Sequence, residues 1–504
     1  MRDEEGNVRT VRQALIRGRD PSTAAGAGCG CSVPGETERG RGGMLAAAGI
    51  GLLGLVLLRR RRSRGGLAVS ALGLVAAATQ GCSSCGDEAH GEIAGCGSDC
   101  KQACTTGLGR GQPGAYLSIA KANDGSIWAA GYNDALLEDD NALLWGDLVV
   151  GKVDRAKNDV AWEVVDGIPP RTAGTCPQYE PDGWRRGETD PGDNVGRYAS
   201  IQVTAAGTPI VSYYDDTNRR LKLATFDGSW KVSVLREQPG ADVGRYGRMI
   251  LDGDRPVIAF LQLEPGAAGR RRSKVVLARA RLPSPRGAED FTFEDVAVDE
   301  DGEPGGGAAE THPRVLGPYL DLARGPQGLG IVAYDGRHGD LVGLVDRGRV
   351  PWERVVLDDG ADVGIAASLA IGPTGTWHVG YVDGVAETLR YLEVVDGRTT
   401  RREIVDDGAA PDGKHIVGDD AAIRVSGDTV TITYADSTAL GLRRATRLLT
   451  ADAWQVRTVA DTAPVPRWLL FPQPVPGEDA IAAFWRRTSR EDRMVEGSVT
   501  LLGP

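Results

Sequence analysis

Cysteine is missing from everything after Cys176, so the large C-terminal region must hold together without disulfide staples. Histidine is scarce: His90, His312, His338, His378 and His415 are scattered and form no metal motif. No G-x-S-x-G, P-loop or H-E-x-x-H pattern occurs, so three common catalytic chemistries lack their signatures. Aromatic residues make up 6% and hydrophobic residues 41% of the chain, too little for a polytopic membrane protein. Lysine occurs 8 times among 58 basic residues, so arginine carries almost all the positive charge. That charge is unevenly placed. Residues 1–64 hold 12 Arg against 6 acids, while the whole chain carries −11. The remainder stands at −17, which argues against nucleic acid as a partner of the main body.

What the chain has in abundance is glycine, 70 of 504 residues, roughly twice the usual share. A length of 504 fits two or three ordinary domains or one large repeat array. Near the N-terminus, Met44–Leu58 is a run of 15 uncharged residues, followed by five Arg within Arg59–Arg64. Gly65–Gly81 then adds 17 more, ending at Cys82. A membrane span needs about 20 apolar residues, so the first run is short and the second has the length of a signal-peptide core. Cations, then an apolar stretch, then small residues before a Cys is the order of a secretory signal, with the arginines retained in the cytoplasm.

Gly81-Cys82 after that core resembles a bacterial lipoprotein signal, although Thr79 and Gln80 depart from its usual Leu and small residue. The resemblance implies lipidation of Cys82. An ordinary cleaved signal and an uncleaved anchor are the alternatives. Ser83 in place of the Asp of inner-membrane retention implies export to the outer membrane or cell surface. Gly28-Cys29-Gly30-Cys31, the apolar run and the arginines together resemble a MYXO-CTERM sorting tag, displaced here from its C-terminal place. A start assigned too far upstream, with Met44 as the alternative, or a fused leftover of a neighbouring frame would explain it. The expected division is a tail at 1–43, an export region at 44–81, a Cys/Gly-rich tether at 82–114 and a folded domain at 115–504. In an oxidising compartment, Cys85, Cys96, Cys100, Cys104 and Cys176 are disulfide candidates of open connectivity. The equal spacing Cys96-x3-Cys100-x3-Cys104 is not a zinc pattern, so no metal is assigned there.

From Tyr116 onward the chain repeats. Gly196-Arg197-Tyr198-Ala199-Ser200-Ile201 recurs at Gly244–Met249 and Gly364–Leu369, with weaker copies at Gly114–Ile119 and Gly317–Leu322. Second strands follow at Ile210–Tyr214, Val257–Leu261, Ile331–Tyr334, His378–Val382, Thr431–Ala435 and Ile481–Trp485; third and fourth runs of 4–6 residues come after most of them. Four short strands per unit of about 48 residues, with no helical stretch, predict an all-β propeller. Seven blades of four antiparallel strands are expected, starting near Tyr116, Gly196, Gly244, Gly317, Gly364, Gly418 and Pro464; six or eight remain compatible. The last unit ends after a third strand at Val495–Leu501, so closure is expected to use a strand from before Tyr116. Ile210–Asp215 and Trp377–Asp383 resemble the S-L-A-L-D-x-x-G-x-P-H-I-S-Y-Y-D repeats of sialidase-like propellers, without their S-x-D-x-G-x-x-W boxes. That resemblance speaks for fold and poorly for function.

Strand alternation puts the connection into strand 1 and the loop between strands 2 and 3 at one end of each blade. The Gly-Arg-Tyr segments with Arg197 and Arg245, and the acids Asp215, Asp335, Asp383 and Asp436, therefore share a face. Insertions gather there too: 136–145, 168–194, 262–273, 300–312 and 409–418. Only 283–290 and 472–477 fall opposite. Long loops on a rigid scaffold are where binding resides, and Trp145 and Trp184 inside them offer flat apolar surfaces. Each residue also has a structural reading: Asp caps a turn, Arg pairs with a neighbouring blade, and the aromatics ending strand 2 fill the core. The pairs Asp358-Asp359, Asp406-Asp407 and Asp419-Asp420 offer oxygens to Ca²⁺ but read better as solvated turns, so no cofactor is expected.

The function expected is non-catalytic recognition of a glycan or protein partner by a monomeric, membrane-anchored envelope protein. A structural scaffold is the alternative, and a sialidase-like hydrolase ranks third. If Cys82 is the lipid-modified residue, labelled palmitate will be incorporated by the wild-type chain. Cys82→Ser will abolish incorporation, and label retained on that variant refutes the assignment.

Overall fold

The structure is a computed structural model describing residues 112–134, 146–167, 192–302, 314–460, 467–488 and 495–503. It is a seven-bladed β-propeller. Six sheets have four antiparallel strands in sequential order and the seventh has three among the described residues. Blade 1 comprises Gln112–Lys121, Ile127–Asp134, Gly146–Asp154 and Asp159–Asp166. Blade 2 runs through Val195–Val203, Pro209–Asp215, Arg220–Phe226 and Trp230–Arg236, and blade 3 through Asp242–Asp252, Arg255–Pro265, Arg271–Ala280 and Phe291–Gly302. Blades 4, 5 and 6 start at Asp321, Val363 and Val417, and blade 7 holds Arg467–Pro474, Ile481–Thr488 and Val495–Leu502. First strands of neighbouring blades meet around the axis, and blade 1 packs on blade 7, which closes the ring. The strand from 112 onward opens blade 1. A strand from before it completing blade 7 would lie outside the described residues.

Six blades begin with one backbone device. Gly114, Gly196, Gly244, Gly317, Gly364 and Gly418 have φ between +99° and +122°. Two residues on, Tyr116, Tyr198, Tyr246, Tyr319, Ala366 and Asp420 are again left-handed, at φ +47° to +54°. In blades 2 and 3 the first strand slips register against the second twice over this stretch, as between Val195 and Arg197 and between Arg197 and Ser200. The Gly-Arg-Tyr segment therefore sits inside the first strand as a double bulge, where the sequence suggested it preceded the strand. Glycine is needed for two reasons at Gly196. Its φ of +107° disfavours any side chain, and a Cβ there would stand 2.8 Å from Leu148 Cα on the third strand of blade 1. Gly114 repeats the arrangement across the ring closure, against Val499 and Phe484 of blade 7.

The bulge also turns a backbone N–H toward the neighbouring blade. Ser118 Oγ accepts from Ile201 N at 3.1 Å, Ser200 Oγ from Met249 N at 2.9 Å, and Ser368 Oγ from Ile423 N at 3.1 Å. Blade 4 carries Asp321 in this place, accepting from Leu369 N at 2.7 Å. Outward from the axis, the aromatics that end strand 2 are core, as expected: Tyr213, Phe260, Tyr381, Tyr434 and Phe484 are fully buried. Three of these hydroxyls donate to the last residue of the preceding blade's fourth strand: Tyr213 to Asp166 at 2.7 Å, Tyr381 to Asp358, and Tyr434 to Asp406 at 2.6 Å. Trp230 Nε1 and Trp454 Nε1 likewise reach back one blade, to Glu163 at 2.6 Å and Glu403 at 2.8 Å.

One expectation needs correction. Residues 262–273 form no irregular loop: the ladder continues through Leu263–Ser273 to Pro265–Arg271, with a short 3₁₀ turn at Ala267–Gly269. Alternation explains it, because Leu261, Leu263 and Val275 keep facing the core while Gln262, Glu264 and Lys274 pair among themselves. Gly196→Ala is expected to cost more than about 1 kcal/mol, since strain and a backbone clash add. Chemical denaturation will show it as a lowered midpoint with unchanged slope; an unchanged midpoint refutes the packing role.

Candidate functional site

The double bulges deliver one side chain per blade to the axis. Tyr116, Tyr198, Tyr246 and Tyr319 stand side by side, with ring centroids 5.0, 4.8 and 5.2 Å apart in turn. Ala366 and Asp420 occupy the same position in blades 5 and 6. All six are half-buried, so the channel is aromatic on one side and open or acidic on the other. Burial raises the phenols of Tyr116, Tyr198 and Tyr246 above their ordinary value. They stay protonated at neutral pH and serve as hydrogen-bond donors.

Beside the tyrosines lie Arg197 and Arg245. Arg197 Nη1 meets Asp216 Oδ2 at 3.1 Å, and Arg245 Nε meets Asp242 Oδ2 at 2.8 Å. Each guanidinium also lies over a tyrosine of the second strand, Tyr132 at 5.5 Å and Tyr214 at 5.6 Å. Those tyrosines donate to the residue at the start of the next blade's first strand: Tyr132 to Asn194, just before it, and Tyr214 to Asp242, its first residue, both at 2.8 Å. Burial opposes the charge on both arginines, yet the neighbouring acids and tyrosines hold them above their ordinary value. The mouth thus combines apolar ring faces, neutral phenols and two fixed cations within two adjacent blades.

The recurrent acids sit at the last residue of strand 2, nearer the blade interior. Asp215 accepts from Asn218 N at 2.9 Å and binds Arg220 Nε at 2.8 Å. Asp383 accepts from Val385 N and Ala386 N and binds Arg390 Nη2 at 2.6 Å. Asp335 holds Arg337 N, Arg354 and His338, and Asp436 holds Thr438 N, Ala439 N, Arg443 and His415. These carboxylates are all buried and tie their own turns to a nearby arginine. The structure therefore brings Arg197 and Arg245 to the channel mouth and gives Asp215, Asp335, Asp383 and Asp436 a place in the turns around it. Trp145, Trp184, Cys82, Cys85, Cys96, Cys100, Cys104 and Cys176 lie outside the described residues. So do most of the expected insertions; 409–418 is described and contains a small hairpin, Ala409–Ala410 with Gly413–Lys414.

Asp335, His338 and Asp340 could place three ligand atoms within 4.8 Å of one another. Arg354 already occupies Asp335, and that cation disfavours a metal there. The acid pairs considered for Ca²⁺ are also engaged: Asp358 and Asp406 accept tyrosine hydroxyls, and Asp419 accepts from Ser437 Oγ. The tyrosines at the axis went unremarked in the sequence, although the recurring Gly-x-Tyr carried them; their meeting depends on the packing of consecutive blades.

No family model and no curated protein matches the sequence. Among solved structures, a protein of unknown function from Dyadobacter fermentans is 14% identical, with a TM-score of 0.41, covering 79% of this chain and 98% of that one. An α-L-arabinofuranosidase from Lactobacillus brevis is 10% identical over 60% of this chain and 89% of its own, at a TM-score of 0.32. A puromycin-hydrolyzing peptidase from Mycobacterium tuberculosis is 13% identical over 78% and 56%, at 0.42. The likeness is one of fold. It says nothing of substrate or partner.

Two histidines near the blade 5–6 boundary titrate with opposite sign. Burial holds His378 below its ordinary value, so the stability it contributes is present above the unfolded pKa near 6.5 and is lost as pH falls through the folded value. Hydrogen bonds to Asp436 and Asp412 hold His415 above its ordinary value, so its contribution is full below about 6.5 and is lost as pH rises through the folded value. His415→Gln is expected to narrow its stability deficit as pH rises from 6 to 9, measured by thermal melts. A deficit independent of pH contradicts the Asp436 pairing.

Proposed function

We propose that this chain is an exported, lipid-anchored envelope protein whose propeller recognises a glycan at the axial mouth of its long-loop face. The observation that carries the reading is the row of four channel tyrosines flanked by Arg197 and Arg245. Ring faces stack on the apolar side of a pyranose, and neutral phenols and guanidinium groups donate to its hydroxyls. Binding suits this arrangement better than acid–base catalysis, because the phenols stay protonated and both arginines are held by Asp216 and Asp242. A glycoside hydrolase reading would need a titratable acid paired with a nucleophile at the mouth.

A scaffold reading has one observation in its favour. The four recurrent acids are spent on turns and ion pairs, as a purely structural ring would use them. Glycan-array binding by the full chain separates the two. Arg197→Ala is expected to weaken binding of the recognised glycan roughly tenfold, the scale of one lost charged hydrogen bond, when measured well below the melting temperature, which loss of the Asp216 pair will lower. Absence of any array signal from the wild-type chain favours the scaffold. Turnover of a fluorogenic sugar panel would instead point to an enzyme.

A further inference from the structure

The opposite face carries a different chemistry. There, at the end of blade 3 remote from the long loops, lies a cavity of about 290 Å³. Arg255, Arg279 and Arg281 line it over an apolar floor of Val257 and Ala280, with Thr292 and Asp252 at its sides. These residues come from both of the blade's turns at this end: strands 1 and 2 turn at Asp252–Arg255, and strands 3 and 4 connect through residues 281–290.

The 281–290 connection is one of the two insertions the sequence places on this face, and it is tied down. Arg281 N donates to Asp290 O at 2.8 Å, Arg286 N to Asp290 Oδ2 at 2.8 Å, and Thr225 Oγ1 of blade 2 to Pro285 O at 3.0 Å. Arg281 Nη1 donates to Glu289 O at 2.8 Å, which orients its guanidinium without neutralising it. The insertion thus forms a fixed wall.

The charge count inside the cavity favours anions. Neither Arg255 nor Arg281 has a carboxylate within ion-pair distance among the described residues. Arg279 has only distant ones, Glu294 at 3.8 Å and Asp346 at 3.9 Å. The acids closest in sequence point elsewhere: Asp252 is taken by Arg324 of blade 4, and Asp254 accepts from Ala205 N of blade 2 at 2.6 Å. In a chain of net charge −11, three arginines against the one lining carboxylate of Asp252, with only Arg279 paired and that at 3.8–3.9 Å, make a local positive well. Guanidinium forks match the oxygens of phosphate, sulfate and carboxylate. The volume sits at the lower edge of the roughly 300–1,000 Å³ usual for small-molecule sites.

We infer that this cavity is a second binding site, for a small molecule carrying one oxyanion group, seated by Arg255, Arg279 and Arg281 over Val257 and Ala280. It is independent of the glycan reading, since it lies on the other face and shares no residue with the axial mouth.

Calorimetric titration of the full chain at low salt tests it with inorganic phosphate, sulfate, glucuronate and, as the uncharged comparison, glucose. At least one oxyanion is expected to bind and glucose is not. Arg255→Ala and Arg281→Ala should each weaken that binding tenfold or more, as loss of a charged hydrogen bond implies. Both side chains are exposed, so melting temperatures should hold. Arg398→Ala, on the same face in blade 5, should leave the affinity unchanged. Tighter binding of glucuronate than of the inorganic ions assigns a sugar-borne group, and the reverse assigns a free ion; both support the site. The inference is overturned if no oxyanion binds at millimolar concentration, if Arg255→Ala and Arg281→Ala bind as wild type, or if Arg398→Ala weakens binding as much as they do.

Discussion

The close approach of a glycine to the third strand of the preceding blade governs the geometry of this ring. Each blade must wedge against its neighbour at a fixed distance, and a side chain at Gly196, Gly244 or Gly364 would push the first strand off Leu148, Leu221 or Leu341. Packing of this kind tolerates almost no change in volume. The left-handed backbone that accompanies it has two further effects. It frees the amides that Ser118, Ser200 and Ser368 capture across the blade boundary, and it turns the next-but-one residue toward the axis.

Polar groups between the blades follow the same economy. A buried tyrosine hydroxyl needs a partner, and in blades 2, 5 and 6 that partner is a carboxylate ending the previous blade. Asp406 shows the balance: burial opposes its charge, but the donors Tyr434, Gly408 N and Arg443 hold its carboxyl below the ordinary range. Where blades 3 and 7 carry Phe260 and Phe484 instead, the demand for a partner disappears and packing alone remains. The boundary between blades 5 and 6 goes further, with Arg447 fully buried between Glu393, Glu403, Tyr391 and Trp454. Such a charge is tolerated because two acids, two aromatic faces and the Ala451 carbonyl surround it.

Two places stand apart from this pattern. One is the axial mouth, where the bulges place tyrosines that meet one another and the second-strand tyrosines Tyr132, Tyr214 and Tyr334, beside arginines that retain part of their surface. The other is the arginine-lined cavity under the 281–290 wall. They differ in character, one aromatic and one cationic, and they face opposite ways.

The chain by itself determined the period and the strand order, because turn glycines and alternating apolar residues are local signals repeated every 48 residues or so; it favoured seven blades, and the structure decided that number over six or eight. It also led to the expectation of one face shared by the long loops, Arg197 and Arg245; among the described residues the two arginines do stand beside the axial tyrosines. The recurrent acids were legible as turn residues, but their arginine partners were not, since Asp335 meets Arg354 from a different strand of its blade. Residues 262–273 misled because Gln262 and Glu264 read as loop residues, whereas they are buried within the ladder and satisfied by each other and Lys274. Only the packing of consecutive blades decided that Tyr116 and Tyr319, some 200 residues apart in sequence, belong to one aromatic wall. Arg255, Arg279 and Arg281 meet inside one blade, where two separate turns bring them together. Contacts of either kind depend on how strands twist and blades pack, and no local pattern in the sequence encodes that geometry.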